Sequence, residues 1–241
     1  YNYEISALEI AADMAVSHSC LPPLHHLELR HGTGTGLTCT PSTLTVVACQ
    51  DAACATPNIT GLTGTLTATG TPSVVWPGGA GFSIAPGSSS STVNVQVTSA
   101  GSVSFGTTGL SATPSSATTC TFGSPACSFT AQDSGLLFDV PPHLADNARS
   151  VSVSAVKKAD NSNACVPAFA SVSKTVAFAC SYQNPASGTL PVRVGGTAVS
   201  CGAGSQAVTL AFDTTGTAST TVQYADVGQV SLAATYTGSG N

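Results

Sequence analysis

The sequence predicts an all-β chain: two tandem β-sandwich domains preceded by a short N-terminal arm. Three observations carry this. Apolar and polar residues alternate along most of the chain, the mark of half-buried strands. The alternating stretches are short and are broken by Gly, Pro, Asn and Ser/Thr clusters. A strand pattern also recurs at a fixed offset of 127 residues.

Residues 1–22 differ from the rest. Ala7–Val16 has helical composition, while Tyr1, Tyr3, Ile5 and Ala7 alternate, so a short amphipathic helix and an extended arm both fit. Pro22 and Pro23 end the segment. Strand patterns then follow at Leu27/Leu29, Leu44/Val46/Ala48, Leu62/Leu66/Ala68, Thr92–Thr98 and Val103/Phe105. In the second half they fall at Leu136/Phe138, Val151/Val153/Ala155, Val176/Phe178, Leu190/Val192, Val208/Leu210/Phe212, Val222/Tyr224 and Val230/Leu232/Ala234.

The repeat sharpens the division. Val95-Gln-Val97 with Gly101-Ser-Val103-Ser-Phe105 aligns with Val222-Gln-Tyr224 and Gly228-Gln-Val230-Ser-Leu232. Thr45–Ala48 followed by Cys54 resembles Val153–Val156 followed by Cys165. Strand, clipped loop and closing hairpin recur in one order. Two immunoglobulin-like sandwiches are expected, over 23–112 and 113–241, with the Ser/Thr-rich stretch 111–119 as linker.

Charged residues make up 7% of the chain, against about 25% in an average globular protein. The polar surface is instead built from 32 Ser, 33 Thr and backbone. A net charge of −5 with six Lys and Arg excludes the basic face that a nucleic-acid binder needs. No apolar run reaches the 18 residues of a helical membrane span.

Nine cysteines are many for a reduced compartment. Cys49 with Cys54, and Cys120 with Cys127, are spaced to clip small loops, and no Cys-x-x-Cys favours zinc over disulfides. Cys165 and Cys180 lie symmetrically about an expected turn at Val172-Ser173 and suit a hairpin bridge; Cys180 with Cys201 is the competing pair. Cys20 is the candidate for the odd thiol. A start at Tyr1 and the ending Tyr236-Thr-Gly-Ser-Gly-Asn241 imply a processed chain or part of a longer one. Asn58-Ile-Thr60 fits the glycosylation pattern and marks an expected surface loop.

Reactive constellations are sparse. With Leu27 and Leu29 inward, His26, Glu28 and Arg30 point outward, so His25, His26 and His31 read as exposed strand-end residues that do not converge on a metal. Asp133, Asp139, Asp146, Asp160, Asp213 and Asp226 are dispersed, unlike the facing pair of a glycosidase. Gly202-Ala-Gly-Ser205-Gln lacks the last glycine of a nucleophile elbow. The Asp213–Gly216 and Tyr224–Gly228 turns suit calcium or, preferably, an aspartate capping its own turn. The sole Trp, Trp76, reads as a core or inter-sheet plug more than a binding aromatic. No enzyme, metal or cofactor is expected.

The string His26-Leu-Glu-Leu-Arg-His31-Gly, Gly36-Leu-Thr-Cys39-Thr-Pro41 and Leu44-Thr-Val-Val-Ala-Cys49 resembles the opening of the MshQ-like proteins, found in mannose-sensitive haemagglutinin pilus biogenesis loci and among related bacterial surface proteins. The likeness continues through Ser134-Gly-Leu-Leu-Phe138, Ala164-Cys-Val-Pro-Ala-Phe169 and Phe212-Asp-Thr-Thr-Gly216 to Val222–Tyr236, and covers about residues 25–237. It implies a secreted or outer-surface protein linked to pili or adhesion, with no catalytic residues. The expected function is therefore a non-enzymatic structural module of a bacterial surface appendage, adhesin-like, with copies of itself or neighbouring domains as partners. Tyr1, Tyr3, Ile5, Leu8 and Ile10 form the candidate assembly arm, able to add to a neighbour's sheet edge. The alternative is a carbohydrate-binding module, with surface glycans as partner and Trp76, Tyr182 or Tyr224 as platform.

Overall fold

The computed structural model describes Ser6, residues 23–123 and residues 126–238; the candidate assembly arm and Cys20 lie outside the described residues. Among these the chain is all-β, with nineteen strands and no helix. The first run comprises β1 (His26–Arg30), β2 (Thr35–Leu37), β3 (Ser42–Cys49), β4 (Leu62–Gly70), β5 (Val74–Val75), β6 (Gly81–Ile84), β7 (Ser90–Val97), β8 (Gly101–Thr108), β9 (Thr119–Thr121) and β10 (Ser128–Gln132). The second comprises β11 (Ser134–Phe138), β12 (Arg149–Lys158), β13 (Cys165–Pro167), β14 (Val172–Asn184), β15 (Val192–Val194), β16 (Thr197–Val199), β17 (Ser205–Phe212), β18 (Thr217–Tyr224) and β19 (Gln229–Thr235).

They form two sandwiches. In the first, the sheet β5-β7-β3-β1-β9 faces β2-β10-β8-β4-β6; in the second, β11-β12-β18-β15-β16, with β13 also on β12, faces β17-β14-β19. Each sandwich has its own core. Leu27, Leu29, Leu44, Val46, Leu66, Val95, Val103, Phe105 and Phe129 anchor the first, and Val153, Val176, Phe178, Val192, Val194, Leu210 and Phe212 the second. The inward residues are those that alternate in the sequence, because a period of two sends one phase of a strand inward and the other outward. Phe105 packs on Phe122, Phe129 and Trp76 at centroid distances of 5.9–6.1 Å. Trp76 is half-buried against the core.

The recurring pattern has a topological counterpart. β3 pairs with β7 and β4 with β8, all antiparallel; β12 pairs with β18 and β14 with β19 in the same way. The closing element is not a hairpin, however. β7 and β8 lie in opposite sheets, as do β18 and β19. Each pair arches across the sandwich.

The sheets do not part at 112/113. β9 runs parallel to β1, with Leu29 opposite Cys120, and β10 runs parallel to β2, so both belong to the first sandwich. The stretch 111–119 is not a linker between domains but a crossover within one: Ser115 N donates to Leu24 O at 3.1 Å and Ser116 N to His25 O at 2.8 Å. The linker is Asp133, the single residue between β10 and β11.

Four disulfides are present among the described residues: Cys39–Cys165, Cys49–Cys54, Cys120–Cys127 and Cys180–Cys201. The expected Cys165–Cys180 hairpin does not form. Val172 and Ser173 open β14 instead of forming a turn, and the chain crosses from one sheet to the other between β13 and β14. Cys120–Cys127 joins the strand β9 of one sheet to the residue preceding β10 of the other, and Cys180–Cys201 ties β14 to the turn after β16, so each sandwich has a staple between its layers. Asn58, expected on the surface, is buried, and its Oδ1 accepts from Thr60 N at 3.1 Å and Thr60 Oγ1 at 2.7 Å.

Candidate functional site at the domain junction

A densely hydrogen-bonded polar cluster lies where the sandwiches meet. β2 ends at Leu37, and Thr38 and Cys39 follow it out of the sheet edge. Thr38 is fully buried. Its N donates to Gln132 O at 2.9 Å, its Oγ1 to Asp133 Oδ1 at 2.8 Å, and its O accepts from Gln96 Nε2 at 2.9 Å. Every polar group of Thr38 is thus paired, as a buried threonine requires.

Asp133 faces both ways. Its side chain holds Thr38 of the first sandwich, and its carbonyl accepts Lys158 N at 2.7 Å from the second. Lys158 Nζ returns the tie by donating to Thr98 O, and Gln96 Nε2 also reaches Asn163 O at 3.3 Å. Lys158 is opposite Cys165 in the β12–β13 register, which brings Cys165 to Cys39 with 4.9 Å between Cα atoms. The bridge closes a sequence separation of 126 residues. By loop-closure entropy that is worth about 5 kcal/mol, more than any shorter loop in the chain. The arrangement thus joins the sandwiches by one covalent bridge and by hydrogen bonds on both sides of Asp133.

The other candidate residues are accounted for singly. Cys49, Cys54, Cys120 and Cys127 are paired with one another as given above. His31 packs edge-on against Phe122 and Phe129, its Nδ1 accepts Gly34 N at 3.0 Å, and burial lowers its pKa. His26 is buried instead of exposed, because the loop 50–57 covers the outer face of β1. Asp213 accepts from Thr217 N, Thr215 N and Thr215 Oγ1, which hold its carboxylate below the ordinary range and leave it occupied by its own turn. Asp226 Oδ1 accepts Val227 N at 2.8 Å. The three aromatics do not share a platform. Trp76 packs on the first core, Tyr224 is buried in the second, and Tyr182 is half-buried with its hydroxyl donating to Leu190 O at 2.9 Å.

Sequence reasoning missed Thr38, Gln96 and Lys158, and named Asp133 only among the dispersed carboxylates. The readable signal is Gln132-Asp133-Ser134, a polar break between Phe129/Ala131 and Leu136/Phe138. It has no Gly or Pro, so it does not resemble a linker. The cover over His26 also left a trace: Val46, Val47, Ala48 and Cys49 are apolar in both phases, as a strand end buried on both faces would be.

None of the curated proteins matches this chain. Among solved structures, it is similar to the D0-D1 domain of intimin at 17% identity, covering 86% of this chain and 88% of that one, with a TM-score of 0.32. It is also similar to invasin, a bacterial integrin-binding protein (15% identity, 86% and 36% covered, TM-score 0.28), and to the Yersinia pseudotuberculosis adhesin InvE (16%, 86% and 54%, 0.24). Residues 24–121 match the domain of unknown function DUF8613. Residues 117–241, just over half of the chain, match the first Ig-like domain of DUF6701, also a domain of unknown function, and the chain belongs to that family.

Proposed function

We propose that this chain is a non-enzymatic structural module of a bacterial cell surface or extracellular appendage, a rigid spacer within an adhesin-like or pilus-associated assembly. The observation that carries the reading is the junction: a one-residue linker, Asp133, flanked by the Cys39–Cys165 bridge. A hinge needs residues free to change φ and ψ, and here the neighbouring carbonyls and amides are already committed. Four disulfides favour an oxidising compartment. The hydroxyl-rich surface and the likeness to the MshQ-like proteins point the same way.

Assembly belongs to the same proposal. Tyr1, Tyr3, Ile5, Leu8 and Ile10 would pair with the open edge of a neighbouring copy's sheet. Deleting 1–22 should then abolish polymers seen by electron microscopy, and unchanged polymer length would remove this part. The surface location is tested by protease treatment of intact cells producing the protein. Loss of the chain without lysis is expected, and full protection would overturn the reading. Rigidity is tested by small-angle scattering of the wild type and of Cys39→Ala/Cys165→Ala. The wild type should keep one maximum dimension from low to high salt, and a broad, salt-dependent distribution would defeat the spacer role.

A further inference from the structure

His26 stands on the outer side of β1 and is only 1% exposed. Its Nδ1 lies 2.9 Å from His25 Nδ1, while its Nε2 has no hydrogen-bond partner. A buried imidazole nitrogen left unpaired is costly and calls for an explanation. Around the His26 imidazole stand the Glu28 carboxylate and the sulfurs of Cys49 and Cys54, and one ligand atom from each of the four residues lies within 4.8 Å of the others. Four-coordinate zinc, with bonds of about 2.0–2.3 Å, holds its donors about 3.4–3.8 Å apart. A contraction of about 1 Å at His26 and Glu28, with the two sulfurs parting from their disulfide bond to about 3.7 Å, would therefore bring these four to bonding distance. In the oxidised protein the Cys49–Cys54 bridge withholds both sulfurs.

We propose that reduction of Cys49–Cys54 opens a zinc site whose donors are His26 Nε2, Glu28, Cys49 Sγ and Cys54 Sγ. The reductant is a dithiol. It transfers two electrons and two protons, the S–S bond breaks, two Cys S–H groups form, and the dithiol leaves as its own disulfide. Each thiol then gives its proton to solvent as Zn²⁺ takes its sulfur.

Two features suit the site to this use. The loop does not depend on its disulfide for shape. The Asp51 carboxylate accepts Ala53 N, Ala55 N and Thr56 N at 3.0, 3.1 and 2.7 Å, Gln50 N donates to Thr56 O, and Gln50 Nε2 to Pro57 O. The sulfurs therefore stay adjacent once the bond opens. Ligating histidines also commonly engage their second ring nitrogen with a neighbour, as His26 does with His25. Cys54 is partly exposed and within reach of a reductant, whereas Cys49 is buried. The site opens only where a dithiol reaches the chain and stays closed in the oxidising compartment of the spacer.

The test uses the full chain, treated with a dithiol and desalted anaerobically, then titrated with Co²⁺ as a spectroscopic probe and with Zn²⁺ against a chromogenic chelator. The reduced wild type should bind one equivalent of Co²⁺ with the strong visible bands of a tetrahedral site and a thiolate charge-transfer band; the oxidised protein should show neither. Cys49→Ala/Cys54→Ala, which keeps the other thiols, should lose that equivalent. His26→Gln should weaken Zn²⁺ binding at least tenfold, with Cys54→Ser on the partly exposed loop as a second variant should His26→Gln not fold. No tetrahedral bands in the reduced wild type, or their full retention in Cys49→Ala/Cys54→Ala, would overturn the site.

Discussion

Cys39 and Cys165 are 126 residues apart in sequence, and the bridge between them fastens the end of the first sandwich to the β12–β13 ladder of the second. The sandwiches have separate cores, and this bond and the polar contacts around Asp133 tie them together. In Cys39→Ala/Cys165→Ala, unfolding in guanidinium should separate into two transitions, with a total loss of up to about 5 kcal/mol. A single transition at an unchanged midpoint would contradict the coupling.

Thr38→Val keeps the shape of the side chain and removes the hydroxyl that donates to Asp133. A loss of about 1 kcal/mol is expected from the missing hydrogen bond. Amide exchange should quicken at Lys158, whose N–H donates to the Asp133 carbonyl, and leave the Phe129 core unaffected.

Gly216 and Gly78 make a matched pair. Both have positive φ, 79° and 92°. A Cβ on Gly78 would meet open space, whereas one on Gly216 would lie 2.8 Å from Pro167 Cβ and 3.0 Å from the carbonyl oxygens of Ala155 and Phe169. Gly78→Ala should cost about 1 kcal/mol for the left-handed backbone alone. Gly216→Ala should cost about 3 kcal/mol, because backbone atoms cannot yield as a side-chain tip does. Equal melting temperatures for the two variants would show that crowding is not the deciding factor.

Burial lowers the pKa of His31 below its ordinary value of 6.5. The unfolded chain then binds a proton that the folded one resists, so the stabilising effect is complete above about pH 6.5 and declines as pH falls toward the folded value. Hydrogen bonds hold Asp51 and Asp213 below their ordinary range, outside this window, while burial lowers the pKa of His26 as it does that of His31. Melting temperature should therefore fall as the pH drops below about 6.5. His31→Phe, which preserves the aromatic packing on Phe129, should flatten that slope. An unaltered slope would assign it to another group.

Much of the local structure was legible. Alternation at Leu27/Leu29, Leu44/Val46 and Val208/Leu210/Phe212 marked strands and their inward faces, and spacing marked Cys49 with Cys54 and Cys120 with Cys127 as loop clips. The strands β9, β10 and β13 were not legible, because Thr119–Thr121, Ser128–Gln132 and Cys165–Pro167 lie beside cysteine loops or prolines and read as linker or clipped loop. The zinc donors were not legible as a set either. His26 and Glu28 share a strand face, but only the loop folding back over β1 brings the sulfurs to them.

The amino-acid order alone determined an all-β, hydroxyl-coated, sulfur-rich chain with two copies of one strand pattern, because alternation and composition are properties of neighbouring residues. The tertiary structure alone decided that Cys165 pairs with Cys39, that β9 and β10 close the first sandwich, that Asp133 is the whole linker, and that His26 is buried. Each depends on which distant segments share a sheet edge. Side-chain period two says which way a residue faces, not what it meets there.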